Sequence, residues 1–494
     1  MGDIILSIDQ GTTGTTALLT TPNGEILSRR TVEFPQHYPQ PGWVEHDLRE
    51  IWASVELAVV AAVNDCPHVS VRDIRAIGIT NQRETVGLWD RRTLEPLARA
   101  IVWQCRRTAE RCERLRNEGL ESLFVERTGL LLDPYFSGTK LSWMLEHLPD
   151  AVPRAKNGAI AAGTIDAYLI ARLTGGRVHA TDVTNASRTL LMNLSDRRWD
   201  PTCLEVLGVP EAILPQIRPS AGPFGQTVGV GWLPDGIPIT GAAGDQQAAL
   251  FGDGCVHAGQ AKCTYGTGAF LLLNTGSNPP RSSARLLGTA AWETSEGVNY
   301  ALEGSVFIAG AAVQWLRDGL GLIERAADIE PLAAGVPDSG GVIFVPAFVG
   351  LGAPHWQPHV RGTLLGLTRG TTRAHLARAT LEGIAFQVAE VVEAMARDIG
   401  GPIRVLRADG GAAANNLLLQ IQADLLGIPV ERSPVLETTG LGAALLAALG
   451  AGFHRSMTDV AATWRTDRVF APSISTDQAA VRMAAWRQAI ARLS

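Results

Sequence analysis

The sequence predicts an α/β protein built as two lobes, and three observations carry this prediction. The chain has 494 residues, well above the roughly 100–200 residues of a typical single domain. Strand-like runs rich in Ile, Val and Leu alternate with helical stretches along the whole length, a pattern typical of α/β proteins. A turn rich in glycine and threonine lies between two strand-like runs near the start of the chain, and again past its midpoint. One such turn in each half favours two related lobes.

Composition excludes several classes of function. Hydrophobic residues make up 46% of the chain and charged residues 19%, the balance of an ordinary globular protein. The 43 Lys and Arg residues and the 49 Asp and Glu residues give a net charge of −6. Without a polybasic block, the sequence offers no electrostatic basis for binding a nucleic-acid backbone or an anionic membrane surface. We therefore expect a small-molecule partner, no nucleic acid and no membrane insertion.

Cysteine spacing and the first residues of the chain indicate a cytoplasmic protein. The six cysteines are scattered without a Cys-x-x-Cys pair or a Cys/His ligand spacing, so we expect neither a disulfide framework nor a zinc site. Asp3 stands where a signal peptide needs positive charge. The longest uncharged run, residues 438–453, is shorter than the roughly 20 residues that span a bilayer, and we interpret it as a buried helix.

The two glycine turns share a pattern that suits phosphate. Residues 9–14 are Asp-Gln-Gly-Thr-Thr-Gly and residues 266–268 are Gly-Thr-Gly. Glycine permits positive φ and close approach of a ligand, and backbone N–H groups and threonine hydroxyls can donate to phosphate oxygens. Because plain β-hairpins are common, either turn alone favours that simpler interpretation, and only the pair indicates a polyphosphate clamp. The flanking strands are predicted at 4–8 with 15–20 and at 262–265 with 269–273.

A third glycine turn joins a strand to a helix. A strand is predicted at 403–407 and a helix at 415–426, with Gly427 as its stop signal. The Gly410-Gly411 turn between them would let backbone touch a flat base or a phosphate at the helix N-terminus. A tight βα turn that needs glycine only for packing is the favoured alternative for this segment taken alone.

Asp245 stands between a strand predicted at 237–241 and a helix predicted at 246–251. It would serve as an N-cap, which stabilises a helix by about 1 kcal/mol. A carboxylate at a cleft floor could instead be a general base that takes a proton from an alcohol attacking a phosphate. Capping normally makes a carboxylate less basic, so the two roles oppose each other. Asp9 and Asp245 are the carboxylates best placed near the nucleotide phosphates.

Arg83 and Glu84 follow a strand predicted at 74–80. Neighbouring strand side chains point to opposite faces, so the two converge on one ligand only where the backbone bends. Taken singly they are interpreted as a solvated charge pair. In a pocket they would supply donors and acceptors for the adjacent hydroxyls of a polyol.

Three aromatic residues are candidates for the walls of such a pocket. Trp103 and Phe270 would contact the carbon atoms of the polyol, although each is more often a core residue. Tyr135 lies in the turn Asp-Pro-Tyr-Phe, where its hydroxyl could reach a ligand. The alternative for Tyr135 is an amphipathic surface side chain.

The chain resembles the FGGY family of carbohydrate kinases over essentially its full length. Many ordered stretches carry the resemblance, which makes it far more specific than a lone glycine turn. They are DQGTT at 9–13, PGWVEHD at 41–47, GITNQRET at 78–85, IVWQCRRT at 101–108, residues 133–140, 244–250 and 264–268, and two family signature regions at 135–147 and 362–382.

The resemblance implies an actin-like (ribonuclease H-like) ATPase fold with an interdomain cleft. It implies a lobe over residues 1–252 with the substrate and a phosphate loop, and a nucleotide-binding lobe over 253–494. The members most similar to this chain phosphorylate glycerol, so the implied activity is ATP:glycerol 3-phosphotransferase in glycerol catabolism, giving sn-glycerol 3-phosphate and ADP. The implied cofactors are ATP and Mg²⁺, and the implied assembly is a homodimer or homotetramer.

The resemblance also implies a set of site residues. Asp245 is the implied base, and Asp9 and Asp245 are the implied Mg²⁺ ligands. The implied glycerol site is Arg83, Glu84, Trp103, Tyr135, Asp245, Gln246 and Phe270. The implied nucleotide site is Thr12, Thr13, Gly14, Thr16, Thr267, Gly310, Gln314, Gly411 and Asn415.

Two departures from the family pattern stand out. Thr16 replaces a basic residue, typically arginine, and losing a charged hydrogen-bond partner costs roughly 1.5–3 kcal/mol. The loop at 231–236 lacks the arginine and the histidine through which relatives are inhibited by fructose bisphosphate or phosphorylated, so we expect neither mode of control.

Two alternatives to glycerol phosphorylation stay open. A kinase for a pentulose or another polyol would have the same fold, but Arg83, Glu84 and Trp103 together favour a three-carbon pocket. A non-catalytic ATP-binding clamp is indicated only by Thr16.

Overall fold

The structure, a computed structural model, describes residues 2–435 and 438–493. The strands are β1 (Ile4–Gln10), β2 (Gly14–Thr20), β3 (Ile26–Glu33), β4 (Glu45–His46), β5 (Ile74–Asn81), β6 (Val86–Asp90), β7 (Ala100–Ile101), β8 (Ile160–Thr164), β9 (Ala180–Asp182), β10 (Met192–Asn193), β11 (Arg198–Trp199), β12 (Gln216–Arg218), β13 (Ile239–Gly244), β14 (Ala261–Tyr265), β15 (Ala269–Gly276), β16 (Leu287–Thr294), β17 (Gly297–Val306), β18 (Ile343–Val345), β19 (Thr363–Leu365), β20 (Leu406–Asp409), β21 (Val430–Arg432) and β22 (Arg468–Phe470).

The helices are α1 (Leu48–Asn64), α2 (Ala109–Asn117), α3 (Glu121–Thr128), α4 (Ser137–His147), α5 (Ala151–Lys156), α6 (Ile165–Leu173), α7 (Val183–Ala186), α8 (Pro201–Leu207), α9 (Asp245–Gly252), α10 (Gly310–Asp318), α11 (Ile329–Ala334), α12 (Arg373–Asp398), α13 (Asn416–Leu426), α14 (Thr438–Gly450), α15 (Met457–Ala461) and α16 (Thr476–Ala491).

The first half of the chain is built on a sheet with the strand order β13-β5-β1-β2-β3. β1, β2 and β3 form an antiparallel meander, and β5 and β13 join parallel to β1. Successive side chains of β1 point to opposite faces. Ile4, Leu6 and Ile8 therefore enter the core that α1 and α6 cover, while Ile5 packs with alanines of α14. Burial on both faces explains the near-continuous apolar run of β1.

The second half repeats this connectivity. Its sheet has the order β16-β17-β15-β14-β20-β21-β22. β14, β15 and β17 form the antiparallel meander, and β20 and β21 join parallel to β14. β16 and β22 extend the two edges. The predicted α/β class with two related lobes is confirmed, since the two hairpins with glycine turns begin the same arrangement of strands twice.

The helix α14 packs against the first sheet, although it belongs to the second half of the chain. The Ser7 hydroxyl of β1 donates to the Gly440 carbonyl at 2.7 Å, and the Thr240 hydroxyl of β13 donates to the Ala447 carbonyl at 2.8 Å. A shared apolar core joins α14 and α9 to β15 and β16 of the second sheet. The uncharged run at 438–453 is therefore a buried helix as predicted, ending at Gly450.

A smaller sheet with the order β4-β7-β6-β8 flanks the first lobe. Its core, shared with α4, lies beneath the loops that carry Trp103 and Tyr135. The six cysteines are free thiols. Across residues 2–435 and 438–493, the helices are too short or too polar to cross a membrane.

Candidate active site

The carboxyl ends of three parallel strands define the floor of the site. The backbone register aligns Asp9 of β1 with Thr80 of β5, and Thr80 with Ala243 of β13. Arg83 and Glu84 follow β5, and Asp245 follows β13. In open α/β sheets, ligands bind beyond the carboxyl ends of the strands, so Asp9, Arg83, Glu84 and Asp245 share one edge of the sheet.

A backbone bend after β5 brings Arg83 and Glu84 to the same side. Glu84 has a φ of 60°, which is uncommon for a residue other than glycine. Lys140 Nζ and the Ser137 hydroxyl of α4 both donate to the Glu84 carbonyl, at 3.1 and 3.0 Å. Arg83 is only 3% exposed and Glu84 1%, so the interpretation as a solvated charge pair is wrong.

Arg83 contacts four other side chains of the site at hydrogen-bond distance. Its Nε lies 3.0 Å from Asp245 Oδ1, and its Nη2 donates to the Tyr135 hydroxyl at 3.4 Å and to Glu303 Oε1 at 3.0 Å. Its Nη1 donates to Glu303 and to Gln247. Burial acts to lower the pKa of Arg83, but the neighbouring carboxylates, Glu303 first, raise it well above its ordinary value. Arg83 therefore stays charged and fixed in direction.

Asp245 is the first residue of α9, and Gly244 is the N-cap. The prediction that Asp245 caps the helix is therefore wrong; its Oδ1 accepts instead from the adjacent Gln246 N–H at 2.7 Å. The Asp245 side chain is 31% exposed. Desolvation raises the pKa of Asp245 above its ordinary value, against the opposing effect of Arg83. A partly exposed carboxylate of raised basicity suits proton abstraction from a bound hydroxyl.

Aromatic rings line one side of this cluster. Trp103 and Tyr135 meet edge to face with ring centroids 5.7 Å apart, and Tyr135 is half-buried rather than on the open surface. Trp103 Nε1 donates to the Thr12 hydroxyl at 3.0 Å, which links the pocket to the first glycine turn. Phe270 lies on β15 opposite Ser305. Since Glu303 is two residues from Ser305, Phe270 shares a sheet face with Glu303, the partner of Arg83.

A backbone hydrogen bond closes each hairpin turn, although the first turn is one residue longer than the second. Gly11 N–H donates to the Gly14 carbonyl at 2.9 Å, and Gly266 N–H donates to the Gly268 carbonyl at 2.8 Å. Positive φ was the predicted reason for these glycines, but none of them adopts it. Close packing explains two of these glycines: a Cβ on Gly14 would lie 2.9 Å from the Val32 carbonyl of β3, and one on Gly268 would lie 2.5 Å from the Val306 carbonyl of β17.

The second turn meets two other candidate nucleotide segments. Gly310 N–H at the start of α10 donates to the Gly266 carbonyl at 2.9 Å. Gly410 has a φ of 86° and packs on Tyr265 beside the same turn. Asn415 is the N-cap of α13 and accepts from the Leu418 N–H at 2.9 Å. Exposed Thr267, Gln314 and Gly411 belong to these segments.

The first turn carries Thr12, Thr13 and Gly14, with Thr13 exposed. Thr16 is paired with Asp9 across the hairpin and its hydroxyl lies 2.9 Å from that of Thr31. Within the described residues, no group of three or more His, Cys, Asp or Glu side chains could hold a metal by itself. A pair of carboxylates such as Asp9 and Asp245 fits Mg²⁺, which is usually held by one or two carboxylates together with substrate phosphates.

Sequence inspection missed several charged residues of the site. Glu303 of β17 and Arg188 contact the pocket residues Arg83 and Glu84. Lys262 Nζ of β14 donates to Gln246 Oε1 at 2.5 Å, and Lys140 holds the bend at Glu84. A charged residue inside an apolar strand is rarely buried without a partner. The charged residues Lys262 in β14 and Glu303 in β17 could therefore have indicated buried polar contacts from the sequence.

Comparison with known proteins places these features in context. Residues 4–252 match the N-terminal domain, and residues 261–451 the C-terminal domain, of the FGGY family of carbohydrate kinases. The chain is 56% identical over 490 residues to the glycerol kinase of Myxococcus xanthus strain DK1622, covering 99% of each chain. It superposes on Plasmodium falciparum glycerol kinase, solved with ADP, with a TM-score of 0.93 at 36% identity, covering 100% of this chain and 98% of the other. Gluconate kinase from Lactobacillus acidophilus, at 22% identity and a TM-score of 0.87, covering 98% of this chain and 96% of that one, shares the fold.

Proposed function

Because the chain belongs to the FGGY family of carbohydrate kinases, with the two-lobed, actin-like fold expected from its sequence, we propose that it transfers the γ-phosphate of ATP to glycerol. The products are sn-glycerol 3-phosphate and ADP. The observation that carries this proposal is the convergence of Arg83, Glu84 and Asp245 beside the Trp103 and Tyr135 rings. The names of the relatives at over 50% identity support glycerol as the acceptor.

In this proposal the buried charges recognise a neutral polyol. Arg83 supplies N–H donors and Glu84 supplies carboxylate acceptors, a combination that matches two adjacent hydroxyls. Trp103 and Phe270 face the carbon atoms, and Tyr135 and Gln246 add polar contacts. The pocket is already assembled by Arg83–Asp245 and Arg83–Tyr135 contacts, so little conformational entropy is lost when the acceptor binds.

Asp245 acts as the general base. As the terminal hydroxyl oxygen forms its bond to the γ-phosphorus, the bond from that phosphorus to the bridging oxygen of ADP breaks, and the hydroxyl proton passes to the Asp245 carboxylate. The raised pKa of Asp245 makes it a stronger proton acceptor than an ordinary aspartate. Arg83, 3.0 Å from Oδ1, orients the carboxylate so that its other oxygen faces the acceptor.

The glycine turns hold the nucleotide. Thr12, Thr13, Gly14 and Thr16 of the first hairpin and Thr267 of the second supply N–H and hydroxyl donors to the phosphates. Gly310, Gln314, Gly411 and Asn415 contact the nucleoside. Asp9 and Asp245 would hold Mg²⁺, which neutralises phosphate charge when bound. Closure of the cleft aligns the hydroxyl with the phosphorus and excludes competing water.

The test is a panel of acceptors. Purified protein with MgATP is incubated with glycerol, dihydroxyacetone, ribitol or xylulose, and ADP release is followed. We expect glycerol to give the highest kcat/KM, because Trp103, Tyr135 and the Arg83–Glu84 pair enclose a three-carbon acceptor. ADP release that is no faster with glycerol than without an acceptor would overturn the proposal, and a preference for xylulose would replace glycerol with a pentulose.

A further inference from the structure

A ring of buried charges joins the two lobes next to the polyol pocket. It consists of Arg83, Glu84, Arg188 and Glu303, with positive and negative members alternating. We propose that Arg188 and Glu303 are positioning residues that hold Arg83 and Glu84 in the orientation that binds the acceptor. This inference rests on the proposed function and adds two residues to it.

Three of the four contacts around the ring are hydrogen-bonded ion pairs, and the fourth, between Arg83 and Glu84, is longer. Glu303 accepts from Arg83 through both carboxylate oxygens, with Arg83 Nη2 at 3.0 Å from Oε1. The same Oε1 accepts from Arg188 Nη2 at 3.0 Å. Arg188 Nε donates to Glu84 Oε1 at 2.7 Å, and Glu84 Oε1 lies 3.9 Å from Arg83 Nε. The Arg188 guanidinium thus contacts both Glu303, which holds Arg83, and the carboxylate of Glu84.

Solvent is excluded from the whole ring. The Arg188 and Glu303 side chains are 0% exposed, and the rings of Tyr135 and Phe136 cover the Arg188 guanidinium at 5.7 and 5.3 Å. Burial acts to raise the pKa of Glu303, but Arg188 and Arg83 bring it below its ordinary value, so Glu303 is ionised. Such a buried ring contributes little net stability compared with apolar residues of the same volume. The geometry therefore favours a positioning role for the ring, which holds Arg83 in one orientation.

The ring reaches the proposed base through Arg83. Glu303 holds both Nη groups of Arg83, while Nε lies 3.0 Å from Asp245 Oδ1. Without Glu303, the Arg83 guanidinium is free to turn its Nη groups toward the Asp245 carboxylate. That rotation would break the contact of Arg83 with the Tyr135 hydroxyl and move the guanidinium out of its position beside the Glu84 carboxylate. Loss of Glu303 should therefore weaken acceptor binding and slow phosphoryl transfer.

Glu303 comes from the opposite lobe to its partners. It lies on β17 of the second sheet, whereas Arg83 and Glu84 follow β5 of the first sheet and Arg188 follows α7. The orientation of the acceptor-binding pair accordingly depends on the arrangement of the two lobes, which links acceptor affinity to the state of the cleft.

The experiment compares Glu303→Gln, Arg188→Gln, the double variant and the charge-preserving Arg188→Lys. KM for glycerol, KM for ATP, kcat and the thermal midpoint are measured for each. We expect each Gln variant to raise KM for glycerol roughly ten- to hundred-fold, the loss that a displacement of about 1 Å causes, with KM for ATP changed less than three-fold. Glu303→Gln leaves an extra positive charge and Arg188→Gln an extra negative one, so the double variant should be less impaired than the product of the singles.

Glu431→Gln is the matched control. Glu431 pairs with Arg407 at 3.4 Å on neighbouring strands of the second sheet, and its loss should leave KM for glycerol unchanged. Folded variants with unchanged KM for glycerol, or an equal rise in the control, would overturn the inference. If the Gln variants fail to fold, Arg188→Lys decides: it keeps the charge but cannot bridge two carboxylates in a plane, and an unchanged KM would overturn the inference. An inactive wild-type protein would instead overturn the proposed function.

Discussion

The proposed acceptor pocket and the proposed nucleotide-binding segments are built by different means. In the pocket, charged side chains are buried and bonded to one another, with Arg83 contacting Asp245, Glu303 and Tyr135. In the proposed nucleotide-binding segments, Gly14 and Gly268 pack against neighbouring strands and Gly310 packs against Gly266, while Thr13, Thr267 and Gln314 are exposed. In the first region the proposed ligand contacts come from side chains, and in the second they come mainly from the backbone.

This difference predicts how the two regions respond to change. A buried charge network fails when one charge is removed, because its partner is left unpaired in a medium of low dielectric. A backbone site keeps its N–H donors when a side chain is changed, but it fails when a Cβ enters the space that the glycine leaves.

Asp245→Asn should have the largest effect. The amide cannot accept the hydroxyl proton, so kcat should fall roughly 10²- to 10⁴-fold, the range that general-base catalysis contributes. The affinity for ATP, measured by calorimetry without acceptor and without Mg²⁺, should change little, since Asn keeps the size of the side chain and the proposed metal contact of Asp245 is not involved. Asp477→Asn, an exposed position on α16, is the control and should have wild-type kcat.

The pH profile gives a second measure of the same residue. The pKa of Asp245 is raised by desolvation, and the base must be ionised to act. Activity of the wild-type protein should therefore fall as the pH drops, at a higher pH than the ordinary pKa of aspartate would give, and this acidic limb should be absent from the residual activity of Asp245→Asn. A variant with near wild-type turnover would remove Asp245 as the base.

The sequence predicted the parts of the site that local chemistry determines. Both hairpins, β5 and the helix α13 with Gly427 as its stop were found, because strand periodicity and helix-end signals are local. The roles given to Asp245 as a cap and to the hairpin glycines as positive-φ residues were wrong, because helix register and strand packing decide them. The partners of Glu303 could not be assigned, since they meet it only at the junction of the two lobes. Arg188 could not be assigned either, because its partner Glu84 is 104 residues away in the sequence.

Gly411→Ala should have an intermediate effect, confined to the nucleotide. The space around a Cβ at this position is open and the residue does not adopt positive φ, so the free energy of unfolding should not fall. If the nucleoside packs against this turn, the added methyl group should weaken ATP binding about ten-fold, or about 1.4 kcal/mol. KM for glycerol should be unchanged.

Two further glycines sharpen that test. In Gly310→Ala the Cβ would lie 2.6 Å from the Gly266 carbonyl, so both stability and ATP affinity should fall, by about 1–3 kcal/mol in stability. Gly231→Ala, also in open space, should change neither. Wild-type ATP affinity in Gly411→Ala would exclude contact between this turn and the nucleotide.

Thr16→Arg should have the smallest effect and the opposite sign. Thr16 is paired with Asp9 at the end of the first hairpin, so an arginine there would share a face with the Asp9 carboxylate next to the phosphate turn. A charged hydrogen bond is worth roughly 1.5–3 kcal/mol when formed, but competition from Asp9 and screening by salt reduce the gain. We expect ATP to bind about three- to ten-fold more tightly at low salt, with less gain as salt is added.

Thr31→Arg is the matched control, because it breaks the same Thr16–Thr31 hydroxyl contact and adds the same charge one strand further from the turn. Equal tightening in both variants would mean that overall charge, and not position 16, sets the affinity, and an unchanged affinity in Thr16→Arg would show that the backbone donors and Mg²⁺ already neutralise the phosphates.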